Sequence, residues 1–214
     1  MRELFKLRTL RLAGPVGVVV ALACTPYILH ASEPGLLRVM QLVALPPISI
    51  VLLQISIAWT PHRRPYEVLA CFGSPRSGVT LAGLGVLLSC GAMVLLDPFI
   101  GRVLPRYFPA SPWLLVLSLP WIALFQPLFL VASVYAFACR LTRRPLWAVA
   151  AVILAHQGIL LLQVKGMSTG LVPGLLLAAG LYGLVLAWSY HAHGLCGPAV
   201  IALLSQARHA LRFL

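Results

Sequence analysis

His156 stands in the middle of an apolar run, Ala151-Val-Ile-Leu-Ala-His156-Gln157. An ionisable side chain at that depth in a hydrophobic segment is costly unless it finds partners, so it marks the first place to look for chemistry. An imidazole there can ligate a metal, serve as the axial ligand of a haem or chlorophyll, or relay protons. The structural alternative is a neutral ring hydrogen-bonded to another helix, with Gln126, Ser133 or Tyr135 as partner. Gln126 precedes Pro127, where its amide can donate to a carbonyl freed by the proline or face His156 across a helix pair. Gln41, Gln54, Gln157 and Gln163 fit helix–helix hydrogen bonds. His191 and His193 form a His-x-His pair, a chelate on a strand but a solvated pair in an interfacial turn.

Acid–base chemistry at His156 needs a proton acceptor, and the chain has few. Its acidic residues are Glu3, Glu33, Glu67 and Asp97, and none follows Asp97. A membrane hydrolase normally places a carboxylate in its longest hydrophobic segments, as general base or metal ligand. Here those segments lack one. Glu67 lies beside Arg63 and Arg64, where a surface ion pair explains it. The cysteines Cys24, Cys71, Cys90, Cys139 and Cys196 are scattered, with no CxxC pair, which argues against a disulfide framework and a zinc knuckle.

The elements that must position these groups are membrane helices. Hydrophobic residues make up 61% and charged residues 9% of the chain, and the mean hydropathy is +0.97. Soluble domains carry roughly 25% charged residues, so this composition cannot supply a water-facing surface. The net charge of +12 sits in the short connections, where cations set topology and meet anionic lipid headgroups. Membrane lipids, and not nucleic acid, are therefore the expected contacts. Crossing the hydrocarbon takes about 20 mainly apolar residues. Six stretches qualify, at about 12–30, 36–59, 78–97, 113–138, 145–163 and 170–190, and a shorter one at 195–207 reads as a re-entrant or tilted terminal helix. The expected fold is all-α: a polytopic transmembrane helix bundle of about six spans plus a short C-terminal helix, residues 1–214 forming one integral membrane domain.

Arg2, Lys6, Arg8 and Arg11 resemble the start of a signal peptide, but Pro15, Pro26 and the lack of a small-x-small cleavage site favour a retained anchor. Counting Lys and Arg by connection gives ten on the N-terminal side (those four with Arg63, Arg64, Arg76, Arg140, Arg143 and Arg144) against four (Arg38, Arg102, Arg106, Lys165) on the other. This asymmetry predicts a cytoplasmic N-terminus in the inner membrane. Tyr27, Trp59, Trp113, Trp147, Trp188 and Tyr190 near span ends suit interfacial belts. Pro46, Pro47, Pro120, Pro127 and Pro173 fall inside spans and predict kinks. Gly83, Gly85, Gly91, Gly174, Gly180 and Gly183 permit close helix contact.

From about 118 to 207 the chain resembles the core of the CAAX prenyl endopeptidase and bacteriocin-processing (CPBP, Abi) intramembrane proteases. Arg143-Arg144-Pro145-Leu146-Trp147-Ala148 matches that family's basic turn and tryptophan-led helix. Val152-Ile153-Leu154-Ala155-His156 matches its Phe-x-x-x-His motif with the histidine retained, and Gly194-Leu195-Cys196-Gly197-Pro198-Ala199-Val200-Ile201 matches its final turn. Where the family has Glu-Glu-x-x-x-Arg, this chain has Phe125-Gln126-Pro127-Leu128-Phe129-Leu130-Val131. The family's last histidine falls near Leu203 and its Asn-type position near Ala207. The resemblance implies a glutamate that activates water and histidines that bind metal or stabilise the oxyanion. Both glutamates, the arginine and the second histidine are missing here, and a glutamine cannot act as a general base. The resemblance therefore implies a pseudoenzyme with no catalytic residues: an accessory or scaffold subunit that binds lipids and other membrane subunits. The alternatives are an active peptidase with a carboxylate from Glu67 or a partner, and a chlorophyll- or haem-binding subunit of an energy-transducing complex with His156 as the cofactor ligand. A transporter is less well supported, since no repeat or intramembrane charge pair marks an ion path.

Overall fold

The computed structural model describes residues 6–31, 34–61, 65–69, 75–98, 100, 108–164 and 170–214. Of the residues named above, Arg2, Glu3, Glu33, Arg63, Arg64, Cys71, Arg102, Arg106 and Lys165 lie outside the described residues. The described chain is helical, without strands. Its elements are α1 (Leu7–Ala31), α2 (Leu36–Trp59), the short α3 (Pro65–Leu69), α4 (Pro75–Leu95), α5 (Pro112–Thr142), α6 (Pro145–Gln163), α7 (Val172–His193) and α8 (Cys196–Ala207), the last continued by a 3-10 turn, Arg208–Phe213. Six of them, α1, α2, α4, α5, α6 and α7, are long and apolar enough to cross a membrane. The protein is a multi-pass membrane bundle, with span boundaries within a few residues of those read from hydropathy.

Local sequence sets the ends of these helices. At the start of α5 the Ser111 hydroxyl accepts the Leu114 N–H at 3.2 Å, and Pro112 occupies the first turn, where its missing N–H does no harm. Arg143 turns left-handed (φ 57°) to end α5, and Pro145 opens α6. Gly194 ends α7 at φ 67°, and a Cβ there would lie 2.6 Å from the Glu67 carbonyl oxygen. Both the backbone angle and the close approach require glycine. Beside it the Leu195 N–H donates to the Val68 carbonyl at 2.8 Å, which ties α3 under the α7–α8 turn.

The prolines of the fourth span act through hydrogen-bond register. Between Pro120 and Val134 the helix widens into π-helical stretches, Trp121–Phe125 and Pro127–Ser133. Pro127 has no N–H, and its ring would strike the carbonyl four residues back, so a wider turn accommodates it.

The core runs between α5, α7, α2 and α8. Leu128, Val131, Ala132 and Tyr135 of α5 are fully buried with Leu53, Ala187, Tyr190 and Ile201. By contrast α6 contributes only Ala148 and Val152 and lies at the periphery, packed on α7 and the end of α5. Of the glycines expected at contacts, Gly85 meets Leu204, Gly180 meets Gln157 and Gly183 meets His156, whereas Gly83, Gly91 and Gly174 face open space. The short terminal helix runs back through the bundle beside α4. It starts at the end of α7, where Gly197 packs on the Ser189 carbonyl, and its extension reaches Asp97 at the far end of α4.

Candidate functional site

The polar side chains inside the bundle gather in two places. At the end where α2, α5 and α7 finish, Tyr135 and Tyr190 are fully buried with their rings 5.3 Å apart, edge to face. The Tyr190 hydroxyl bonds Thr60 Oγ1 at 2.9 Å, and the Tyr135 hydroxyl bonds His191 Nδ1 at 2.7 Å. Thr60 in turn donates to the Ser56 carbonyl at 2.6 Å. Tyr190, expected in an interfacial belt, is instead a core residue. A buried phenol needs a partner for its hydroxyl, and Thr60 supplies one. The His-x-His pair lies on the last turn of α7, not in a loop, so its two rings diverge: His191 goes to Tyr135 and His193 meets the edge of Trp188 at 6.2 Å.

The second group starts at His156. Its Nδ1 lies 2.9 Å from the Val152 carbonyl one turn back. A carbonyl only accepts, so Nδ1 carries the hydrogen and Nε2 presents a lone pair. The half-buried ring sits between helices, over Gly183, where an added Cβ would lie 3.2 Å from Nδ1, and edge-on to Tyr182 at 5.9 Å. None of the partners expected from sequence is used. Ser133 bonds the Phe129 carbonyl, Tyr135 bonds His191, and Gln126 is exposed on the outer face of α5. Gln157, the next residue, does bridge helices: its amide donates to the Leu176 carbonyl at 3.1 Å above Gly180.

From Tyr182 a polar track leads to the far end of α4. The Tyr182 hydroxyl lies 3.2 Å from Ser205 Oγ of α8, and Arg208 Nη1 donates to the Ser205 carbonyl. Arg208 then grips Asp97 with two parallel bonds, Nε to Oδ2 at 3.0 Å and Nη2 to Oδ1 at 3.2 Å, both residues being buried. Next to it His209 is fully buried against the edge of Phe108, and Arg212 stacks on that ring's face, 3.5 Å from its centroid. Burial, reinforced by the positive charge of Arg208, pushes the His209 pKa down to about 4. Sequence puts Asp97 at the end of the third span and shows no charge pair in the bundle; the structure corrects this, since Asp97 pairs with a cation 111 residues away. The available signal was that Arg208 follows an apolar run too short to span alone.

These positions limit the chemistry. No carboxylate of the described residues touches His156: Asp97 is held by Arg208, and Glu67 belongs to α3 at the opposite end. Among the described residues no three His, Cys, Asp or Glu side chains come together as a metal-binding set. What the His156 surroundings do offer is one imidazole lone pair of fixed tautomer. No family model, curated protein or solved structure matches this chain.

Proposed function

We propose that this chain is a non-catalytic, CPBP-like integral membrane protein, an accessory or scaffold subunit of a larger membrane complex. It sits in the inner (cytoplasmic) membrane with its N-terminus in the cytoplasm, contacting anionic lipid headgroups and other membrane subunits. The observation that carries this reading is the state of Asp97. It is the one buried carboxylate of the described bundle, and Arg208 neutralises it through two hydrogen bonds. Both of its oxygens already accept guanidinium N–H groups, and neither of them touches His156. Gln126, at the resembled family's glutamate position, is exposed and has no proton-accepting chemistry. The orientation rests on the cation asymmetry, ten to four in the N-terminal segment and connections and ten to six once Arg208 and Arg212 are counted at the far end. The test is purification at native levels in mild detergent, with mass spectrometry of co-purifying chains and a cleavage assay on prenylated and membrane peptides. Stable partners with no cleavage support the reading, and a monomer that cleaves overturns it.

A second reading is favoured by one specific observation. The Val152 carbonyl holds the Nδ1 hydrogen of His156, the arrangement that orients many ligating histidines and leaves Nε2 as the ligand atom. His156 would then hold a chlorophyll or haem from the periphery of the bundle. An absorption spectrum of the same sample decides this: a Soret or Qy band supports it, and a spectrum of aromatic side chains alone rejects it.

A further inference from the structure

Between the end of α4 and the C-terminal 3-10 turn lies a cleft of about 280 Å³ lined by Met93, Asp97, Pro98, Arg208, Leu211 and Arg212. We propose that it is a phosphate-binding site, in which Arg212 takes the charge of a phosphodiester and the Asp97–Arg208 pair forms the polar wall behind it. The site deepens the lipid contact proposed above; it rests on the membrane setting and not on the scaffold role, which the cleavage assay tests separately. Three observations carry it. The first is charge: two guanidiniums and one carboxylate line the cleft, and the carboxylate is already paired with Arg208, so the cleft keeps one net positive charge.

The second is order. Arg208 is fixed by Asp97 and the Ser205 carbonyl, and Arg212 is laid flat on the Phe108 ring. A guanidinium stacked on an aromatic face keeps its N–H donors directed sideways, and has lost much of the freedom it would otherwise give up on binding. No hydrogen bond from Arg212 to another described residue occupies those donors, so the planar fork that suits phosphate geometry is open to a ligand. The third is location. The cleft sits where the α4 span ends, with Met93 and Leu211 as its apolar walls, so a lipid's phosphate can meet the arginines while its glycerol and acyl carbons stay on hydrophobic surface. Burial is the main cause of the depressed His209 pKa; Arg208 and Arg212 lower it further, and Asp97 works against them.

The experiment uses the full chain in nanodiscs and in detergent, with native mass spectrometry counting bound phosphatidylglycerol and a parallel titration with inorganic phosphate. Arg212 is exposed, so Arg212→Gln leaves the Asp97–Arg208 pair in place. Wild type should hold one phosphatidylglycerol that Arg212→Gln holds about tenfold more weakly, as expected for the loss of one charge-assisted contact. Phe108→Leu, which removes the ring face but not the charge, should fall between them. Arg143→Gln, at the other end of the bundle, should bind as wild type does. A lipid retained against inorganic phosphate assigns the site to a headgroup, and phosphate binding that the lipid does not displace assigns it to a soluble phosphate. Equal affinity in wild type and Arg212→Gln, or equal losses in Arg212→Gln and Arg143→Gln, would overturn the proposal.

Discussion

Asp97 can remain out of water because Arg208 goes with it. Burying a carboxylate alone costs far more than a domain's margin of stability, and two parallel hydrogen bonds to a guanidinium offset that cost. Asp97→Asn leaves Arg208 buried and uncompensated, so it should destabilise the fold by about 3–5 kcal/mol, whereas Asp97→Leu with Arg208→Met should restore most of the loss. Thermal unfolding in detergent measures both, and equal damage from the single and double variants would show that the loss does not come from an unpaired buried charge. His209 adds a pH dependence of known sign. Its pKa falls from 6.5 to about 4 on folding, so the unfolded chain takes up the proton first as pH drops. The stability it contributes is complete above 6.5, declines between 6.5 and about 4, and changes no further below that. Replacing His209 by Phe should flatten that limb of the stability curve while leaving the neutral-pH plateau close to wild type. Sequence marks His156 as a residue needing partners and leaves Asp97 at the end of its span. It does not name Val152, Tyr182 or Arg208, because a partner one turn, one helix or half a chain away is set by which helices touch.

The helices are more legible than their contacts. Hydropathy gives each span from composition alone, since every backbone group must be satisfied inside its own helix in hydrocarbon. Which glycines sit at interfaces depends on rotation about each axis, and helices that are apolar all round carry little of that information in their residue pattern. Gly85, Gly83 and Gly91 read alike in sequence. A Cβ at Gly85 would meet Leu204 Cβ at 2.8 Å, while Gly83 and Gly91 have nothing within 4 Å. Gly85→Leu should therefore push α4 from α8 and cost about 1–3 kcal/mol, with Gly83→Leu and Gly91→Leu near neutral. A common melting temperature for all three would contradict the packing of α8 on α4. The prolines predict kinks. At Pro127 the structure shows a shift of hydrogen-bond register as far as Ser133, a detail that depends on whether neighbours re-satisfy the freed carbonyl.

In the molecule as a whole, α8 sets the side on which the last described residues emerge. It runs parallel to α4 and delivers Arg208 to Asp97, so Leu214 lies at the face opposite Leu7. Reporter tags placed before Met1 and after Leu214 should respond from opposite sides of sealed vesicles, and a shared side would contradict this path for α8. The bundle is proposed to keep a protease-like frame without a protease's chemistry, and its response to substrate decides that. Purified full-length wild type and His156→Ala are incubated with a panel of prenylated and membrane peptides, while native mass spectrometry reads the assembly state of the same samples. Neither protein should cleave above a protein-free control, and His156→Ala should assemble more weakly. Cleavage by wild type that vanishes in a His156→Ala protein of unchanged assembly would contradict the proposal.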